Sequence, residues 1–185
     1  MTTIIEKELK ILEIDPIQVQ ESLLALGATK NFEGNVHDIY YDTPESALSA
    51  QSKRIRIRRK GSYHLITMKE RIPSTGIKSA HETEIIVENP EQVDQLLQSY
   101  GLQPSREKTK HRISYSLDGV TFDIDMYENI PPILEIEAGD KKTINLWVRK
   151  LGLQKKTSAT FGAHGLFKHY NLLPTSLVDS QVQKH

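Results

Sequence analysis

The chain has 185 residues, enough for one domain whose core needs no covalent staples. It contains no cysteine, which excludes disulfides, thiolate metal sites and cysteine nucleophiles. Lys plus Arg and Asp plus Glu each number 24, and a net charge of zero argues against a strongly basic nucleic-acid binder.

No apolar run is long enough to cross a membrane, and Met1 to Lys10 lacks an apolar signal core. The expectation is a cytoplasmic single domain over residues 1–174, with a loosely held tail over 175–185.

In chain order, period-two patterning predicts a first strand near 4–12. A helix follows Asp15-Pro16, carries Val19, Leu23 and Leu24, and stops at Gly27. Strands are expected near 36–42, 53–60 and 62–69, the last two joined by a turn at Lys60-Gly61-Ser62. Arg71 to Lys78 reads as a mobile loop, with another strand near 81–88. A second helix follows Asn89-Pro90 and stops at Gly101. Strands near 108–117 and 120–127 flank Asp118-Gly119, and one more is expected at 132–138. A third helix starts near Asp140, carries Trp147 as a core residue and stops at Gly152; a last covers about 161–170. Eight hairpin-rich strands with flanking helices predict an α+β fold: an eight-stranded antiparallel closed barrel with the helices outside.

Charge alternates along these strands. Glu6, Glu8 and Lys10 share one face, as do Arg54, Arg56 and Arg58. So do Thr67 and Lys69, Glu82 and Glu84, and Lys108, Lys110 and Arg112. Asp123 and Asp125, then Glu135 and Glu137, complete the rows. A solvated face usually mixes polar types. Rows of like charge two residues apart repel, and call for a counter-charge or a ligand. With this face inward, clustered carboxylates suit Mg²⁺ or Mn²⁺, and clustered Arg and Lys suit phosphate oxygens. Both together suit a metal–polyphosphate complex.

At this point the motifs resemble a known family. Glu6-Lys7-Glu8-Leu9-Lys10 is similar to the E-x-E-x-K signature of the CYTH superfamily, the triphosphate tunnel metalloenzymes. These include class IV adenylyl cyclases, thiamine triphosphatases and inorganic triphosphatases. Further matches follow in order: Asp38-Ile39-Tyr40-Tyr41-Asp42-Thr43, Ile55-Arg56-Ile57-Arg58, Thr67-Met68-Lys69, Glu82-Thr83-Glu84, Lys110-His111-Arg112, Asp123-Ile124-Asp125 and Glu135-Ile136-Glu137. The resemblance covers about residues 3 to 170 and implies an eight-stranded tunnel.

It further implies that Glu6, Glu8, Asp125, Glu135 and Glu137 hold divalent metal, and that Lys10, Arg56, Arg58, Lys69, Lys110 and Arg112 hold the triphosphate. Glu6, Glu8 and Lys10 would be the catalytic group, and Glu82, Glu84 and Asp123 supporting residues. The implied partner is a small-molecule triphosphate, without nucleic acid or membrane; a homodimer is left open. Hydrolysis of inorganic, thiamine or nucleoside triphosphate is expected first, cyclic AMP formation second, and a non-catalytic polyphosphate-binding module third.

The family's C-terminal Ser-Tyr pair is missing, leaving Lys155 or Lys156 as an unaligned phosphate contact. Pro131-Pro132 replaces the Gly-rich turn of many cyclase-like members. The seven His residues lack metal-ligand spacing; His64, His81 and His111 have the parity opposite to the charged rows and are expected to face outward or pack under helices, and His164, His169 and His185 to lie at the surface. No Gly-rich phosphate loop is present, so side chains must hold the phosphates.

Overall fold

A computed structural model describes residues 4–172. In order the elements are β1 (Ile4–Ile11), α1 (Pro16–Ala25), β2 (Thr29–Asp42), α2 (Ala47–Ala50), β3 (Lys53–Lys60), β4 (Tyr63–Ile72) and β5 (Lys78–Val87). There follow α3 (Pro90–Ser99), β6 (Gln103–Leu117), β7 (Val120–Met126), β8 (Ile133–Glu137), α4 (Lys141–Lys150), β9 (Ser158–Ala159) and α5 (Ala163–His169).

The strands run β5-β4-β3-β2-β6-β7-β8-β1, and β1 also pairs with β5. That second pairing, Ile4 to Glu82 through Glu8 to Lys78, closes an eight-stranded antiparallel barrel. β9 continues the same edge of β1 beside Lys10 and Ile11.

The helices form where their ends are satisfied. Asp15, Asn89 and Asp140 accept backbone N–H bonds from Gln18, Gln92 and Thr143 at their N-termini. Gly27, Gly101 and Gly152 all take positive φ at the C-termini. There Ala28, Leu102 and Leu153 each donate back to the carbonyl five residues earlier.

Apolar residues of the strands point away from the barrel axis, so the main core lies between sheet and helices. Leu9, Ile113, Phe122, Ile124, Leu134 and Ile136 pack under Val19 and Leu23 of α1 and Ile144 and Trp147 of α4. Phe122 meets Trp147 edge to face at 4.9 Å. Burial of each such side chain contributes about 1.5–3 kcal/mol. That is what lets the inner face remain polar. A second cluster, with Leu12, Ile130, Ile133 and Leu166, fixes α5 across one end of the barrel.

Several strands are longer than the sequence suggests. β2 starts at Thr29 and β6 at Gln103 because they pair almost end to end, with irregularities at Lys30/Phe32 and Tyr40/Tyr41. The second irregularity accommodates Pro104, which cannot donate to the ladder. The expected 71–78 loop shrinks to residues 73–77, with Lys78 already in β5. The short elements α2 and β9 have too little pattern to be read from sequence. The expected tail over 175–185 lies outside the described residues.

Candidate active site in the barrel

The barrel encloses a cavity of about 390 Å³. Its lining includes Glu6, Glu8, Lys10, Arg56, Arg58, Lys69, Glu82, Glu84, Lys110, Arg112, Asp123, Glu135 and Glu137. Thus thirteen of the fourteen residues singled out in the sequence meet in one space. The fourteenth, Asp125, is fully buried directly behind it. Strand alternation is the cause: each row occupies consecutive inward positions of one strand.

The strand registers also sort the charges along the barrel axis. One end carries Glu6, Glu82, Glu84 and Glu137, with Lys60 as a base near Glu84 and Asp123. The middle mixes both signs. The end under α5 carries Lys10, Arg54, Lys78 and Lys108 with Tyr40 and Tyr127.

Ion pairs knit the middle together. Lys10 bridges Glu8 at 2.5 Å and Glu135 at 2.8 Å. Lys69 bridges Glu6 at 2.6 Å and Glu82 at 2.5 Å. Arg112 grips Asp125 through Nε at 2.5 Å and Nη2 at 2.6 Å, while Lys110 reaches the same carboxylate at 2.5 Å. Arg112 also donates to Glu135 at 2.8 Å and to Asp123. Arg56 is held loosely, with Asp38 at 3.8 Å and Glu84 at 3.9 Å. Its guanidinium, which also donates from Nε to Thr67 at 3.3 Å, is thus less committed to carboxylates than those of Arg58 and Arg112 and can turn to an incoming anion.

The acidic end crowds carboxyl groups together, which disfavours their charged form. Burial, then the neighbouring Glu6, pushes Glu137 up to about 8. Burial, with Glu8 and Glu82 alongside, pushes Glu6 up to about 7 despite Lys69. A hard cation would relieve both, and an all-oxygen donor set fits Mg²⁺ or Mn²⁺. Among the described residues no three acids or imidazoles already converge as a metal cage. The ammonium groups of Lys10 and Lys69 instead sit between the carboxylates.

Other residues of the cavity lining carried no assigned role in the sequence reading, among them Asp38, Arg54, Lys60, Lys78 and Tyr127. Asp38 accepts two bonds from Arg58, and Lys78 pairs with Glu8 at 2.7 Å. The signal was parity: Lys78 is in phase with Glu82, and Asp38 with Tyr40. Lys156 does not reach the cavity, since its Nζ donates to the Glu13 carbonyl on the outside. None of His37, His64, His81 and His111 lines the cavity, and His37 pairs with Glu107 instead.

The family model of the CYTH domain matches residues 5–160. No curated protein sequence matches the chain. Among solved structures, the PH1012 protein of Pyrococcus horikoshii is 24% identical, with TM-score 0.74, covering 87% of this chain and 98% of its own. A candidate adenylate cyclase of Vibrio parahaemolyticus is 14% identical, with TM-score 0.75, covering 90% and 99%. A Hippeastrum adenylyl cyclase-like protein with a dominant triphosphatase activity is 17% identical, with TM-score 0.66, covering 94% and 98%. At these identities the likeness is one of fold.

Proposed function

Because the chain belongs to the CYTH domain family, we propose that its barrel is a tunnel for metal-dependent hydrolysis of a triphosphate. One observation carries this reading. Acids of β1, β5 and β8 and bases of β3, β4 and β6 face one another across one cavity inside the closed barrel.

A triphosphate has about four negative charges at neutral pH, and phosphoryl transfer is mainly positioning and charge stabilisation. Arg56, Arg58, Lys69, Lys110 and Arg112 would bind the phosphate oxygens. Lys10, fixed between Glu8 and Glu135, would place one more positive charge where the phosphoryl group transfers. Glu6, Glu8, Glu135 and Glu137, with Asp125 behind them, would hold Mg²⁺ or Mn²⁺. A divalent cation there supplies Lewis acidity to the phosphoryl oxygens and to the attacking water. Glu82, Glu84 and Asp123 would orient the bases: Glu82 on Lys69, Glu84 through Thr67 at 2.9 Å, and Asp123 on Arg112.

Hydrolysis is favoured over cyclisation by the α5 end of the cavity. A nucleoside there would face Arg54 and Lys108, and the Tyr40 ring is already covered by Arg106 at 5.7 Å. The Hippeastrum protein's dominant triphosphatase activity supports the same choice by analogy. The test compares ATP, inorganic triphosphate and thiamine triphosphate with Mg²⁺, with Mn²⁺ and with chelator. Orthophosphate release that needs the metal supports hydrolysis. Binding without turnover of any of them leaves a polyphosphate-binding module.

A further inference from the structure

Charge is also sorted on the outside of the barrel. From Lys141 to Lys156 the chain has six cations and no acid, although the chain as a whole is neutral. Lys141 donates to the Thr75 carbonyl at 2.9 Å and Lys156 to the Glu13 carbonyl at 2.7 Å, while Lys150 lies over the Trp147 ring at 4.3 Å. These contacts leave the charges uncompensated, and none of the six forms an ion pair among the described residues. Two acids beside the segment are turned to other partners. Asp140 accepts from the Thr143 N–H at 2.9 Å and from its hydroxyl at 2.7 Å, and Glu13 accepts from the Tyr170 hydroxyl at 3.2 Å.

The helix α4 divides into two faces. Ile144 and Trp147 are buried and pack on the sheet. The outer face carries Lys142, Leu146, Arg149 and Lys150, all exposed. Lys142, Leu146 and Arg149 follow one another at spacings of four and three, so the leucine lies between two cations on one stripe. Leu146 is 42% exposed and takes no part in the core. Lys155 and Lys156, exposed as well, lie in the turn that follows the helix.

The size of this face decides what it fits. A ten-residue helix is about 15 Å long and about 10 Å wide, which offers on the order of 150 Å². A stable protein interface takes about 800 Å² from each partner, and a single nucleic-acid-binding module about 600–1,000 Å². The one tryptophan of the helix is buried, so the stripe has no exposed ring on which a base could stack. A fluid lipid surface needs no matched area, and it sets anionic headgroups directly above an apolar layer. That order, cations around one exposed leucine, is the order of the stripe. No helix of the described residues is long and apolar enough to span a bilayer, so the contact is adsorption to its surface.

We propose that the outer face of α4 is a docking surface for an anionic lipid bilayer. Lys142, Arg149, Lys150 and Lys155 meet the negative headgroups, and Leu146 enters the boundary between headgroups and acyl chains. With few cations and one aliphatic side chain the attachment is reversible and sensitive to salt. It lies outside the tunnel and does not depend on the triphosphate reading.

The experiment is co-sedimentation of the full chain with vesicles of phosphatidylcholine and with vesicles of phosphatidylcholine and phosphatidylserine, at low and at raised salt. The chain should pellet with the anionic vesicles only, and should be released as salt shortens the Debye length below about 8 Å. Lys142→Gln and Arg149→Gln should each weaken the binding about fivefold, the worth of one cation at an anionic surface. Leu146→Gln should weaken it by the same factor at low and at raised salt, because its share is apolar. Arg59→Gln removes an exposed cation from β3 and should change nothing. All four positions are exposed, so the variants keep the fold. Absence of pelleting with anionic vesicles overturns the proposal, as does equal pelleting with phosphatidylcholine alone, or binding that both cation variants leave intact. Tighter binding of polyglutamate or of a 5′-hydroxyl RNA, lost in Arg149→Gln, also overturns it and gives the face to that partner.

Discussion

Arg58 clamps Asp38 across the β2–β3 ladder, Nε to Oδ1 at 2.6 Å and Nη2 to Oδ2 at 2.8 Å. A residue expected to bind phosphate is thus already fixed by a neighbouring acid. The fork holds the guanidinium in one orientation, so little rotamer freedom is lost when an anion arrives. Asp38→Asn should release it. Breaking a buried pair by removing one partner costs about 3–5 kcal/mol, to be read from denaturant midpoints. Arg56 and Arg58 hold the Asp38 carboxyl below the usual range, against the opposing effect of burial. Its stabilisation is therefore present above the ordinary Asp range and lost on acidification, and the variant should lose less stability between pH 5 and pH 2. An equal acid response in both proteins would remove Asp38 from this role.

Arg56 differs from Arg58 in having its carboxylate partners near 4 Å. Arg56→Ala should weaken triphosphate binding by about 10–100-fold, the worth of charge-assisted hydrogen bonds. Stability should change less than in Asp38→Asn. Unchanged affinity would mean that the Arg row does not meet the ligand.

Glu8 receives both Lys10 and Lys78. Glu8→Gln keeps the shape and removes the charge. Metal-dependent turnover should fall below detection while the barrel stays folded, checked by circular dichroism and a phosphate-release assay. Full activity in that variant would contradict a metal site built on β1.

Lys108 is charged in the unfolded chain up to its ordinary value of 10.5 but only to about 7 when folded. Between those values the unfolded state binds more protons, so this group makes stability rise with pH. Arg54, Arg106 and Lys110 repel its charge, and Asp38 alone attracts it. Lys108→Gln should therefore melt higher than the unaltered chain at pH 6–7, with the gap closing towards pH 10. Each kcal/mol relieved is worth about 2–4 °C for a domain of this size. A variant that melts lower at pH 7 would show the lysine to be stabilising as it stands.

Most of the site was legible because a strand converts alternation into facing. Glu6, Glu8 and Lys10 point inward for the same reason that Leu9 and Ile11 pack under the helices. Closure was harder to read. It depends on Ile4–Glu8 pairing with Lys78–Glu82, a contact between residues seventy or more positions apart that no local pattern encodes. The sorting of charge along the axis was hidden for the same reason, since it follows from the registers of all eight strands together. Lys78 was missed because Pro73, Ser74 and Gly76 read as a loop up to its position, although β5 starts there. Asp38 was visible as part of a motif. Its bond to Arg58 needed the β2–β3 register.

The central claim is that this tunnel directs water to a triphosphate. It is tested most directly by ³¹P NMR of the protein with ATP or inorganic triphosphate and Mg²⁺ in ¹⁸O-enriched water. The account predicts orthophosphate that carries the label and disappears from the spectrum when chelator is added at the start. Cyclic AMP with pyrophosphate as the product of ATP would contradict it.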